Sequence, residues 1–180
     1  MVSGPGGVGK GTVVQRLAEL DPHLWVSRSW TTRPQRPGES DDAYIFVDRE
    51  TFRKRVDARG FLEWNKLASN GHLYGTPTLD PPPGVDVLLE IEPNGARQVK
   101  SAHPEAVVVL VVAPSIDEQR ARMRRRGDDE VSIERRIALG EREVEMARPL
   151  ADAVVVNDEV ERAAGEVAGI LAAARRHGRR

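Results

Sequence analysis

The chain has 180 residues, enough for one domain with a core of its own. Charged residues make up 31% of it, yet the net charge is -1, so no global field draws it onto nucleic acid or a membrane, and any anion site must be a local group of Arg or Lys. Cysteine is absent, which excludes disulfides, thiolate nucleophiles and Cys-ligated zinc, and the four histidines lack metal-ligand spacing.

In chain order, "SGPGGVGKGT" comes first. Gly4, Gly9 and Lys10 fit the phosphate-loop pattern G-x-x-x-x-G-K-[ST], but Gly11 stands where a Ser or Thr hydroxyl would touch Mg²⁺. Such a loop closes its N–H groups around phosphates because no Cβ intrudes, and the helix behind it adds positive potential. Val13, Leu17 and Leu20 predict that helix over 10–20, while only Met1 and Val2 remain for a strand in front. "LWVSRSW" reads as a strand with a polar end, and "TTRPQRPGES" as a loop. "AYIFV" and "GFLEW" are short strands around a helix closed by Gly60, "SNGHLYGT" is a hairpin or turn, and four prolines keep "PTLDPPPG" irregular.

Beyond Gly84 strands and helices alternate. "VDVLLEIE", "AVVVLVV" and "AVVVN" are buried strands, and helices are predicted at 95–102, 116–126, 132–148 and from 160 on. The closing helix carries one stripe of Val160, Ala163, Ala164, Val167, Leu171 and Ala174, followed by a basic tail, "RRHGRR", expected to fray. This alternation implies a parallel sheet covered on both faces. The longest apolar run, 106–113, is too short to span a bilayer, and no signal-peptide pattern precedes the loop, so the expected location is the cytoplasm.

The second chemical signal lies between the loop and Gly84. Arg33 and Arg36 supply two guanidinium forks suited to a phosphate monoester, and Tyr44 and Tyr74, the only tyrosines, add hydroxyls. Glu63 alternates with Leu62 and Trp64 on a strand, which by itself reads as a solvated outer face.

Assembled, "SGPGGVGKGT", "SRSWTTRPQRPGE", "FLEW", "YGT", "LLEIEPNGARQV", "RMRRRG…IERRI" and "VVVND" resemble the guanylate kinase family nearly end to end. The resemblance implies an α/β fold of P-loop NTPase type: a parallel sheet with helices on both faces, an inserted small mixed-β GMP-binding lobe and a helical, Arg-bearing lid. The core would comprise 1–28 and 85–180, the lobe 29–84, and the lid about 120–137. It implies transfer of the γ-phosphoryl of ATP to GMP, with Mg²⁺ as cofactor, held through phosphates and water without a confident direct ligand. The implied ATP contacts are Gly4, Pro5, Gly6, Gly7, Val8, Gly9, Lys10, Gly11, Thr12 and Asn157. The implied GMP contacts are Ser29, Arg33, Arg36, Tyr44, Glu63, Tyr74, Thr76 and Glu92, and the catalytic set is Lys10, Arg122, Arg126 and Arg136. Partners are thus the small molecules ATP and GMP, with neither nucleic acid nor membrane and no protein partner assigned.

Base chemistry fits the resemblance. A carboxylate at Glu63 accepts from guanine N1–H and the N2 amine together, whereas adenine offers neither donor; Ser29 and Thr76 can serve O6 and N7. The chain departs from the family at Gly11 for Ser, Glu92 for Asp, Pro93 and Asn94, Ala43 for Asp, Leu73 for Tyr, and the short "PTLDPPPG". Two other readings compete. A kinase of another phosphate monoester, such as ribose 1,5-bisphosphate, would not need Ser29, Glu63 and Thr76. An inactive phosphopeptide-binding module would be expected to lose Lys10 or the lid arginines, which are all present.

Overall fold

The computed structural model describes residues 1–68 and 70–178. Strand β1 is Val2–Ser3, and the chain turns through the glycine loop directly into α1, Lys10–Leu20. Strand β1 lies between the segment 86–91 on one side and β9, Val109–Val112, on the other, and β10, Ala153–Val156, lies outside β9; all these pairings are parallel.

"LWVSRSW" is two strands rather than one. Strand β2, Leu24–Val26, pairs with β7, Asp86–Leu88, and the chain then leaves this sheet to start β3, Trp30–Thr31, in another. The reason is local: Ser27 N–H still bonds the Leu88 carbonyl, but Thr31 is drawn to Leu73 and Tyr74. The expected strand 85–92 is likewise interrupted at Leu89, dividing β7 from β8, Glu90–Ile91, because its first half pairs with β2 and its second with β1. Through this one segment the two ladders form a continuous parallel order β2–β7/β8–β1–β9–β10.

Helices cover both faces. Val13 and Leu17 of α1 pack with Ala163, Ala164 and Val167 of α6, Val160–Gly178, against Val2, Val109, Val111 and Val155. Ala96 and Val99 of α3, Pro93–Ala102, cover Leu89, Ile91 and Val108 on the other side. The three small residues of α6 allow close approach to α1, so the predicted stripe is the packing face. The closing helix does not fray at Arg175: it pairs with Asp21 at 2.6 Å and with Asp86, tying α6 to the sheet's β2–β7 edge. Arg179 and Arg180 lie outside the described residues. Among the described residues no helix is long and apolar enough to cross a membrane.

The second sheet has the order β4–β3–β6–β5, with β4 at Ile45–Phe46, β5 at Phe61–Lys66 and β6 at Leu73–Pro77. It is mixed: β3–β4 is parallel, and β6 runs antiparallel to β3 and β5. The expected hairpin is thus β5–β6, although Ser69 in its turn lies outside the described residues. Asp48 caps α2, Arg49–Asp57, by accepting from Thr51 N–H at 2.7 Å. Phe52 of α2, wholly buried, stacks on Phe61 at 4.6 Å and meets Trp64 edge-on.

Phe52 is therefore the keystone of this sheet's own small core. Phe52→Ala is expected to lower stability by about 3–5 kcal/mol, measured as a shift of the urea midpoint, because little around the ring can collapse into the space.

Candidate active site

The phosphate loop joins β1 to α1. Gly9 caps the helix from a left-handed backbone, no side chain bonds the cap, and no acidic residue occupies the first turn. The N–H groups and the positive end of the helix are therefore offset by no carboxylate of that turn. Lys10 is 7% exposed at its side chain, and its ammonium donates to the carbonyls of Gly4 (2.5 Å) and Pro5 (3.2 Å) and to Glu92 Oε1 (3.0 Å). The loop lines one end of a cavity of about 720 Å³.

The mixed sheet lines the other end. Arg33 forms a two-pronged pair with Glu39, at 2.8 and 2.7 Å, and lies over the rings of Tyr44 and Phe46. Burial opposes the charge of Arg33, but Glu39 and Tyr74 together outweigh it and hold the guanidinium above its ordinary pKa. Arg36 is the opposite case: burial and the neighbouring Arg126, Arg33 and Arg136 depress it, and Glu39 approaches it only to 3.9 Å. Arg33, Arg36, Tyr44 and Tyr74 all line the cavity.

A narrow recess opens beside it, sharing Lys10, Tyr44, Tyr74, Glu90 and Glu92 and adding Ser29, Glu63 and Asn65. Glu63 is not on a solvated face. It is 7% exposed, and its Oε1 accepts from Thr76 N–H at 3.0 Å and from the Thr76 hydroxyl at 2.6 Å. Burial raises its pKa, opposed by those two bonds and reinforced by Glu92. The strand-to-helix approach on its other side is very close: a Cβ at Gly95 would lie 2.6 Å from Glu63 Oε2. Any larger residue at 95 displaces the carboxylate.

Helices α4, Ile116–Arg125, and α5, Glu130–Ala147, bring the remaining arginines. Arg126 and Arg136 reach the cavity. Arg122 does not join them. It donates to the Val8 carbonyl (3.0 Å), the Asn157 carbonyl (2.8 Å) and Glu118 (2.9 Å), so it grips the outside of the phosphate loop. Helical spacing puts Arg122 and Arg126 on one face, but the loop captures the first. Asn157 also donates to Val8, at 2.8 Å, and its Oδ1 is buried without a hydrogen-bond partner. Gly4, Val8, Arg122, Asn157 and Thr76 thus lie behind the surfaces that line the cavity and its recess, and the Thr76 hydroxyl donates to Glu63. The other expected site residues line the cavity or its recess.

Glu90, Glu143, Asn65, Glu39 and Gly95 complete the site and were not among the expected residues. Asn65 follows Glu63 by two on β5, a period that puts both on one face. Glu90 has an acidic spacing signal, being two residues before Glu92, and a Cβ at Gly11 would sit 3.4 Å from its Oε2. Burial raises the pKa of Glu90, with Lys10 opposing and Glu92 reinforcing. Among the described residues no three His, Asp or Glu side chains form a metal cage.

Glu143 of α5 lines the same cavity, and burial, with Glu92 reinforcing and Lys10 opposing, pushes its pKa up from 4.5 to about 7. Between those values the folded chain keeps a proton that the unfolded chain has released, so stability falls as pH rises through that window. Glu143→Gln is expected to flatten this slope, seen as a smaller loss of urea midpoint between about pH 5 and about pH 8 than in the parent chain.

The geometry agrees with the chain's relatives. The guanylate kinase family profile matches residues 1–174. The guanylate kinase of Synechococcus sp. (strain CC9311) is 45% identical over 174 residues, covering 93% of this chain and 90% of its own. A guanylate kinase of Thermus thermophilus is 46% identical over 182 residues, covering 98% and 81%. Among solved structures, guanylate kinase from Anaplasma phagocytophilum superposes with a TM-score of 0.77 at 29% identity, covering 96% of this chain and 82% of that one. With the phosphate loop, the paired arginines and the buried Glu63 gathered around one cavity, the chain belongs to the guanylate kinase family.

Proposed function

We propose that this chain is a guanylate kinase, transferring the γ-phosphoryl of ATP to GMP to give ADP and GDP. The observation that carries the reading is one cavity with Lys10 at one end and Arg33, Arg36, Arg126 and Arg136 at the other, opening into a recess that holds Glu63. The loop N–H groups and Lys10 bind the triphosphate. Asn157 lies behind the loop and donates to the Val8 carbonyl, so it serves ATP binding by holding the loop in shape. Glu63 accepts from N1–H and the N2 amine of guanine, and Arg33 and Arg36 bind the GMP phosphate. The mixed sheet, within 29–84, acts as the acceptor lobe, and the α4–α5 turn as the lid.

The four arginines face two carboxylates, Glu39 and Asp128, leaving two positive charges in excess. A phosphate monoester with a second pKa of about 6 is a dianion at neutral pH and matches that excess. It attacks the γ-phosphorus in line as the bond to the β-phosphate oxygen breaks, and the electrons leave on ADP. No protein base is needed. Arg126 and Arg136 meet the charge on the moving phosphoryl group, an effect worth about 10³–10⁵ where one arginine supplies it. Arg122 contributes by holding the loop.

The residues present fit Mg²⁺ held by phosphate oxygens and water. Gly11 offers no hydroxyl, and the buried Glu90 carboxylate beside it can accept from metal-bound waters. When bound, the ion would supply positive charge that offsets the phosphates of ATP.

The test is ADP release from ATP-Mg²⁺ with GMP, AMP, UMP, CMP or ribose 1,5-bisphosphate as acceptor. GMP is expected to be used best, and equal use of AMP or the sugar bisphosphate defeats the assignment. Glu63→Gln turns one acceptor into a donor facing a donor, and a loss of about 2–4 kcal/mol in kcat/KM for GMP is expected, with ATP affinity nearly unchanged. Gly95→Ala should imitate it by pushing the carboxylate aside. Unimpaired GMP use by both variants removes Glu63 from its role.

A further inference from the structure

One carboxylate at the arginine end has no place in the reaction as written. Asp128 follows Gly127 at the end of α4, where Gly127 N–H bonds the Arg124 carbonyl (2.9 Å) and Asp128 N–H bonds the Met123 carbonyl (3.1 Å). This pair of bonds is a Schellman close, which needs the positive φ of 86° at Gly127 and turns the chain back on itself. The Asp128 side chain is thereby folded under the turn, 12% exposed. Its Oδ2 accepts from Arg126 Nε (2.8 Å), Arg126 Nη2 (2.5 Å) and Arg136 Nη1 (3.2 Å). One oxygen thus gathers guanidinium groups from two helices. Asp128 does not line the cavity; both arginines do.

We propose that Asp128 is a positioning residue for phosphoryl transfer: it clamps Arg126 and Arg136 side by side behind the acceptor phosphate and offsets the repulsion that would otherwise splay the α4–α5 turn from Arg33 and Arg36. The proposal rests on the guanylate kinase reading for its substrate, but its chemistry is that of an anion clamp. Arg126, Arg33 and Arg136 each act on Arg36 as like charges, and Asp128 is the opposing charge among them. Without it three excess positive charges remain in place of two. A free anion is then attracted more strongly, while the two guanidinium groups lose their shared anchor. Misplacement of a reacting contact by about 1 Å can cost about 10²-fold in rate. The signature is therefore a split: catalysis weakens while anion binding does not.

The experiment uses Asp128→Asn, which keeps size and loses charge, and Asp128→Glu, which restores charge. Asp128→Asn is expected to lower kcat for GMP by about tenfold or more without raising KM, and to lower the sulfate concentration for half inhibition by several-fold. Asp128→Glu should recover much of kcat. In an Arg126→Ala background the same Asp128→Asn change should have little further effect on kcat, since Asp128 acts through that arginine. A raised KM with unchanged kcat, or losses that multiply in the double variant, overturns the proposal. Stabilisation by sulfate in a thermal melt is read in parallel and needs no turnover. If Asp128→Asn gains no more from sulfate than the parent chain, the clamp is wrong; if it gains more while neither protein phosphorylates GMP, the clamp stands and the substrate reading falls.

Discussion

A buried ammonium organises this molecule. Lys10 leaves water almost completely, and a charge in such a place demands close partners. Two are carbonyls of the loop that carries it, which forces the loop to wrap round the side chain. The third is Glu92, which lies just after β8 and precedes α3. One pairing thus fixes the entry to α1, the end of a central strand and the start of α3 relative to each other. The parallel sheet supplies the frame, in which Val2 is clamped between 86–91 and β9.

The acceptor side is built on a different set of contacts. Glu63 is held by Thr76 across the β5–β6 hairpin and touches α3 of the parallel-sheet core at Gly95. The mixed sheet and the core therefore meet at the carboxylate itself. Desolvation there works against its ionised form, and the two Thr76 bonds work for it. On the proposed reading such a carboxylate would discriminate strongly, because a ligand that cannot donate leaves it without compensation.

Much of this was legible in the chain, and the exceptions share a cause. Local signals worked: the glycine loop and its helix, the Phe61–Pro77 hairpin and the α6 stripe all depend on residues a few positions apart. The boundaries that moved are set by distant partners. Strand β9 begins at Val109 rather than near Ala106, and the Asp152 carboxylate accepts from Val108 N–H just ahead of it. The site followed the same rule. Arg33 and Arg36 could be named from motif chemistry and Glu63 from the family resemblance, but Gly95 matters only because Glu63, 32 residues earlier, packs on it. Arg122 and Arg126 look equivalent by spacing, and only the Val8 carbonyl separates their fates.

Helix α4 has one further consequence. Gln119 donates to the Gly6 carbonyl at 2.7 Å, and Arg122 grips Val8, so this helix is fastened along the back of the phosphate loop. Arg126 comes four residues later, about 6 Å farther along the axis at 1.5 Å per residue. The helix is thus a ruler laid from the loop toward the arginine cluster. Its zero mark is backbone, not a side chain that could swing. Inserting one residue between Arg122 and Arg126 would carry the second guanidinium about 100° round the axis and off the cavity, while the loop and its grip stayed whole. In that respect the distance between the phosphate loop and the arginine cluster is written as a residue count.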